Sequence, residues 1–436
     1  MIKIKNTHSY NNLRERLIGG KITGIWKNSS NFIGNTSFPI PKFYYQTSNF
    51  SEFEKNYYSK PQELVYHLSG YGNCYNESLV SFLGEASERY SYAANILLVK
   101  DRIIFDSYDN LKELDNAHYL ICPLEYINVY YNEKDEKNFV RADDKISWIK
   151  MISLTSPDKE VLIPLQFFIP YNDEIFKNEK KILPSAVSTG TSSHETIRKS
   201  LENCIIEYFQ IDSFNLWWYG GVQGKTLHVN PKDYIGLLTQ DEKEIKTFLD
   251  YYTVEFTDIS FDKGIDIVVC EIFGKDKCVP QYTIGVQGGK DYKKAIYRSF
   301  MEAITVLEYN NNIPWIETDK YLKIGSRVDG VGNLDDNVIW YSKYGKQNTV
   351  KHDNINWKKS IDETKEHNIF NKLKELSKYT GMLNITLTDF NRLNLNVIRV
   401  IIPELLPMCL PSYPQYYHAR YKSVGGVINN IIHPLA

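Results

Sequence analysis

Glu85 and Glu88 stand three residues apart in the segment Ser81-Phe82-Leu83-Gly84-Glu85-Ala86-Ser87-Glu88-Arg89-Tyr90, and Ser81 stands four before Glu85. At helical spacing all three share one face. Two carboxylates with Cβ atoms roughly 5–6 Å apart repel each other. A magnesium ion would relieve that repulsion, because it takes a few carboxylates together with phosphate oxygens and water. An ordinary solvated face, with Arg89 as a neighbour, is the other reading of the same spacing. A second stripe joins Ser200, Asn203 and Glu207. Its hydroxyl, amide and carboxylate suit nucleotide hydroxyls, phosphates or a hydrated cation, or else form a plain polar face. A third segment carries Arg298 and Glu302 at i and i+4. It starts Gln287-Gly288-Gly289-Lys290-Asp291, a glycine pair ahead of an Asp N-cap candidate, where a phosphate could sit. A simple turn and a surface ion pair are the alternatives there.

These stripes need helices to present them. The periodicity predicts helices over about 75–93, 193–216 and 291–309. The second opens on the turn Ser188-Thr189-Gly190-Thr191-Ser192-Ser193, with Ser192 and Glu195 spaced as a capping box. Strand-like runs lie at Asn95–Lys100, Val161–Pro170, Ile265–Phe273, Tyr282–Val286, Leu383–Thr388 and Val397–Pro403. The runs alternate with helices in no clean βαβ rhythm, so the expected fold class is α+β with a mixed sheet. Residues 1–65 read as an N-terminal subdomain or arm, and 66–436 as the main domain. The stretch 327–366 reads as a loop or insertion. Four prolines within 403–415 exclude a long helix there.

Composition excludes several function classes. The formal charge is −2, which gives no basic surplus for nucleic acid or an acidic membrane surface. The six cysteines make no CxxC pair and fit no zinc ribbon or finger. Scattered thiols suit a reducing cytoplasm, and the start Met1-Ile2-Lys3-Ile4-Lys5-Asn6 lacks the apolar run of a signal peptide. No stretch approaches a membrane span, so the expected location is cytoplasmic. Thirty-three tyrosines are many; they either fill core positions or line a peptide-binding surface.

No Walker pattern, GxGxxG, HExxH or GxSxG occurs, so a nucleotide would bind through some other arrangement. Taken in order, the three polar segments resemble the YcaO family. Ser81, Glu85, Glu88 and Arg89 match its Ser-x3-Glu-x2-Glu-Arg motif. The stretch from Ser188-Thr189-Gly190-Thr191 through Glu207 to Trp217-Trp218-Tyr219 is similar to its second region. Ala295 to Glu302 resembles its third helix, and Val400-Ile401-Ile402-Pro403 its late strand. The resemblance covers about 70–436. It implies a mixed sheet whose helices together form an ATP and Mg2+ site. Glu85, Glu88, Glu207 and Glu302 would hold the metal. Ser81, Arg89, Ser200, Asn203 and Arg298 would meet the nucleotide, Arg298 standing where the family often has Gln. The implied chemistry is activation of a backbone amide in a ribosomally made precursor peptide, with Cys, Ser or Thr closing to thiazoline or oxazoline during bacteriocin or toxin biosynthesis. The implied partners are that precursor peptide, a ThiF-like leader-binding protein, a flavin dehydrogenase and a second copy of the chain.

Two departures qualify the resemblance. Gln210 and Ile211 replace the usual second-motif Glu-Arg pair. The C terminus, Asn430-Ile431-Ile432-His433-Pro434-Leu435-Ala436, lacks the Pro-rich tail of azoline-forming members. Within it, His433 is a proton-transfer candidate, and the terminal carboxylate of Ala436 could reach the active site. Sulfide or an amine as nucleophile would give a thioamide or amidine instead. A non-catalytic scaffold subunit is the remaining alternative.

Overall fold

The computed structural model describes residues 14, 17–20, 24–33, 39–50, 67–113, 118–130, 137–261, 264–276, 278–328, 331–347, 368–410 and 415–435. The elements used below are, in order, β1 (Trp26–Ile33), β2 (Tyr44–Phe50), β3 (His67–Gly72), α1 (Tyr75–Ala94), β4 (Ile103–Ser107), β5 (Tyr119–Ile121), β6 (Lys145–Ser153), β7 (Glu160–Pro164), β8 (Thr191–His194) and α2 (Ile197–Trp218). There follow β9 (Lys225–Leu227), β10 (Tyr252–Asp258), β11 (Asp266–Gly274), β12 (Tyr282–Gly289), α3 (Tyr292–Ile316), α4 (Leu334–Tyr344), β13 (Gly381–Asn384) and β14 (Asn396–Ile401). The chain divides into two compact units. One comprises Met1–Ile33, Phe43–Ile205 and Ser377–Pro403; the other comprises Gly34–Lys42, Ile206–Leu376 and Glu404–Ala436. The boundary expected between 65 and 66 lies outside the described residues. The loop expected at 327–366 is corrected where it is described: Leu334–Tyr344 is helix α4, capped by Asn333 and burying Val338, Ile339, Trp340 and Tyr341.

In the first unit a seven-stranded sheet runs β5-β7-β6-β13-β14-β8, with β4 also pairing to β6. Only β5 and β7 pair in parallel; the remaining ladders are antiparallel, so the sheet is mixed. Its core includes Trp148, Ile149, Val161 and Ile163, together with Phe82 and Leu83 from α1. Arg399 of β14 is fully buried beside them. Its guanidinium donates to Thr191 Oγ1 at 2.6 Å and to the carbonyls of Phe167 and Val187, both at 3.0 Å, and it lies 4.7 Å from the Tyr92 ring centre. A buried cation survives only with such partners. A separate sheet, β1-β2-β3, carries α1 against its edge strand β3. Gly70 makes that approach feasible: a Cβ there would lie 2.2 Å from Phe82 N and 2.3 Å from Ser78 O.

In the second unit an antiparallel sheet runs β12-β11-β10-β9. Here α3 packs on β12 and β11, and again a glycine permits it: a Cβ on Gly285 would lie 2.1 Å from Ser299 O. Asp291 caps α3 as expected, its side chain accepting from Lys293 N. The C-terminal segment is built into this unit. Trp218 Nε1 donates to Ile431 O at 2.8 Å, Asn429 Nδ2 donates to Trp218 O at 3.0 Å, and Pro434 and Leu435 are buried. No helix among the described residues is long and apolar enough to cross a membrane.

Further local expectations are corrected. The run Val161–Pro170 is strand only as far as Pro164, Leu165–Phe167 being a 3-10 turn. Of Leu383–Thr388 only Leu383 and Asn384 are strand. Residues Asn95–Lys100 are not a strand. Ile96–Val99 is a helical turn that buries Ile96 and Val99 and exposes Leu97 and Leu98, a spacing of three that an apolar run conceals. Ser192 does not cap α2, because Thr191–His194 pairs with β14 as strand β8; Thr196 Oγ1 accepts from Lys199 N instead. Gly288 and Gly289 are not a turn but the last residues of β12, opposite Ile267 and Asp266.

Candidate functional site

In the first unit, α1 buries Leu79, Phe82, Leu83 and Ala86 and turns Ser81, Glu85, Glu88 and Arg89 to a half-buried face. Glu85 is held from β3: its Oε2 accepts from Ser69 N at 3.2 Å and from Ser69 Oγ at 3.1 Å. Arg89 Nε lies 3.6 Å from Glu85 Oε1, and its Nη1 lies 3.9 Å from Glu88 Oε1. Arg89 also donates to Ser188 Oγ, so the cation touches both carboxylates and the segment before β8. Ser87 Oγ and Ser193 Oγ bond at 2.7 Å, fixing α1 to β8. Ser200 is fully buried, and its hydroxyl donates to Asn396 O at 2.7 Å. That bond docks α2 on β14, so the expected contact between Ser200 and nucleotide is corrected: the hydroxyl is turned into the protein. Asn203, one turn on, is exposed.

In the second unit, Glu207 is half-buried on α2, and Arg298 and Glu302 are half-buried on α3. Glu302 is held from β12: its Oε2 accepts from Val286 N at 3.1 Å and from Gln287 Nε2 at 2.9 Å. Gln210 works on the same strand edge. Its Nε2 donates to Val286 O at 2.7 Å, and its Oε1 accepts from Gly288 N at 2.9 Å. An amide can do both at once, whereas an ionised carboxylate can only accept. The departure at 210 therefore serves as a clamp between α2 and β12.

His433 behaves otherwise than expected. His433 is fully buried, with Nε2 donating to Cys409 O at 2.8 Å and Nδ1 accepting from Leu435 N at 3.3 Å. Burial pulls its pKa down to about 4. A neutral ring with both nitrogens engaged holds no mobile proton, so His433 is a structural residue and not a proton-transfer group. Ala436 lies outside the described residues.

Among the described residues no three His, Cys, Asp or Glu side chains are grouped closely enough to hold a metal ion alone. The oxygen donors of Ser81, Glu85 and Glu88 on one helix nonetheless fit Mg2+. This hard cation keeps several waters and takes one or two carboxylates plus phosphate oxygens. The donor set thus suits an ion that arrives with a nucleotide. Sequence reasoning missed Ser69, Gln287 and the clamp made by Gln210. Their partners lie 15 to 78 residues away, and neither spacing nor periodicity signals such pairs.

Residues 69–406 match the family model described as YcaO cyclodehydratase, ATP- and Mg2+-binding. No curated protein matches the chain. The solved E. coli microcin synthetase McbBCD complex with pro-MccB17 bound contains a similar chain: TM-score 0.64, 15% identity, covering 96% of this chain and 99% of that one. A heterocyclase in complex with substrate and cofactor gives TM-score 0.61 and 16% identity over 92% of this chain and 52% of that one, so the present chain spans about half its length. YcaO from Methanopyrus kandleri bound with AMPPCP and Mg2+ gives TM-score 0.52 and 14% identity over 91% of this chain and 89% of that one. At such identities the structures share the fold.

Proposed function

Because this chain belongs to the YcaO cyclodehydratase family, whose domain binds ATP and Mg2+, we propose that it activates backbone amides of a ribosomally made precursor peptide, closing Cys, Ser or Thr onto the preceding carbonyl as thiazoline or oxazoline. The observation that carries the reading is the family match over 69–406, with Ser81, Glu85, Glu88 and Arg89 together on one helix inside it.

Bound ATP with Mg2+ supplies the phosphoryl group that lets amide oxygen, a poor leaving group, depart as phosphate. The protein's own part is positioning and charge neutralisation. In this reading Glu85, Glu88, Glu207 and Glu302 are metal ligands. Arg89 steers the carboxylates of α1 and offers a cation to phosphate, and Ser81, Asn203 and Arg298 meet the nucleotide. The precursor peptide is the substrate. A ThiF-like protein that captures its leader is the partner, a flavin dehydrogenase acts on the azoline product, and the chain works in the cytoplasm.

The test is mass spectrometry of a precursor peptide co-expressed with the chain and its partner. The expected result is loss of one water for each modified residue. Exchange of oxygen for sulfur would move the reading to thioamide formation. An unchanged mass together with no Mg2+-dependent ATP binding would overturn it in favour of a scaffold. Glu85→Ala and Glu88→Ala should abolish ATP turnover while circular dichroism stays that of the parent; unaltered turnover refutes the ligand assignment.

A further inference from the structure

The two units contain the same construction, built from different strands and helices. Among the described residues, strand β3 lies at the edge of its sheet, and so does β12. An edge strand leaves backbone N–H groups without a strand partner, and covering it with a helix is one remedy. Here each covering helix brings a glutamate to the edge. Glu85 Oε2 takes the N–H and the hydroxyl of Ser69. Glu302 Oε2 takes the N–H of Val286 and the amide of Gln287. In both strands a glycine adjoins the donating residue, Gly70 after Ser69 and Gly285 before Val286, and in both the helix backbone would collide with a Cβ there.

From this repeated geometry we propose that Ser69 and Gln287 are positioning residues, each fixing the orientation of a metal-binding glutamate; the inference rests on the reading of Glu85 and Glu302 as Mg2+ ligands. The terminal torsion of a Glu side chain is broad and roughly two-fold. Two donors converging on one oxygen remove that freedom and set the direction of the other. Magnesium requires near-octahedral geometry, so a preset carboxylate binds it with less reorganisation. Partners that hold metal ligands in this way typically contribute about 10–100-fold in metal affinity. Gln210 extends the device in the second unit by clamping the same edge through Val286 O and Gly288 N.

The test measures binding of a non-hydrolysable ATP analogue by calorimetry, with Mg2+ titrated and again in EDTA, alongside melting of the ligand-free chain. Ser69→Ala and Gln287→Ala are expected to raise the half-saturating Mg2+ concentration about 10-fold or more. Binding in EDTA should stay at the parent level, and Ser69→Thr should restore the Mg2+ response. Gln210→Glu should also weaken the Mg2+ response, since it sets a carboxylate against Val286 O. Equal losses with and without Mg2+ would assign Ser69 and Gln287 to packing and overturn the inference, as would a tighter Mg2+ response in Gln210→Glu. Glu85→Ala and Glu302→Ala separate the two levels. If they lose the Mg2+ response while Ser69→Ala and Gln287→Ala keep it, positioning fails and the ligand reading stands. If they keep it, the ligand reading itself fails.

Discussion

His433 shows at the scale of a residue how burial redirects a group that sequence alone offers as an acid or base. Its ring lies edge-on to Phe214 and Tyr219, and both nitrogens hold backbone groups. The consequence is a stability effect with a definite sign. The folded pKa of about 4 lies below the unfolded value of about 6.5. Between those values the unfolded chain binds the extra proton, so stability is complete above about pH 6.5 and declines as pH falls toward 4. The decline from this group is at most about 1.4 kcal/mol per pH unit. Thermal melts between pH 7 and 4.5 should show a steeper acid loss in the parent than in His433→Asn; parallel losses would contradict the buried neutral ring. Glu85 and Glu302 instead sit half-buried with partners that spacing did not reveal, Ser69 for the first and Val286 and Gln287 for the second.

At the scale of elements, glycines decide which helix can lie on which strand. Gly285 has no room for a side chain under α3, and Gly84, inside α1, has nothing within 4 Å of the place its Cβ would take. Opposite responses to the same substitution are expected. Gly84→Ala should stabilise by about 0.5–1 kcal/mol through helix propensity. Gly285→Ala should destabilise by about 1–3 kcal/mol or more, because backbone and not a flexible side chain must move. Denaturant midpoints of the two variants check both signs. The cap at Thr196 belongs here as well. Sequence spacing favoured Ser192 with Glu195, but β14 draws Thr191–His194 into the sheet and moves the start of α2 downstream.

At the scale of the whole molecule, the C-terminal segment is part of the second unit's core. Trp218, Tyr219 and Tyr341 all bond to its backbone. Leu435 is fully buried, a contribution of about 1.5–3 kcal/mol. Deleting Pro434–Ala436 should therefore lower the melting temperature and weaken ATP binding and peptide modification together. Loss of modification alone, at the parent's melting temperature, would show that the tail's packing is not what activity depends on. Many of the tyrosines serve the interior in the same way: Tyr92, Tyr219, Tyr252, Tyr282, Tyr341 and Tyr421 are all fully buried.

The sequence by itself determined the three helices and the half-buried face that α1 presents, since 3.6-residue periodicity is local. It also determined the family, through Ser81, Glu85, Glu88 and Arg89, and the strands at Asp266–Gly274, Tyr282–Gly289 and Asn396–Ile401, whose β-branched runs carry their own signal. Only tertiary structure decided that Asn95–Lys100 turns helically, that Ser200 and His433 face inward, and that Ser69, Gln210 and Gln287 secure strand edges and carboxylates. Each of those outcomes depends on which packing and hydrogen-bonding partners the fold brings near. That is settled by partners far along the chain, beyond the reach of any local pattern.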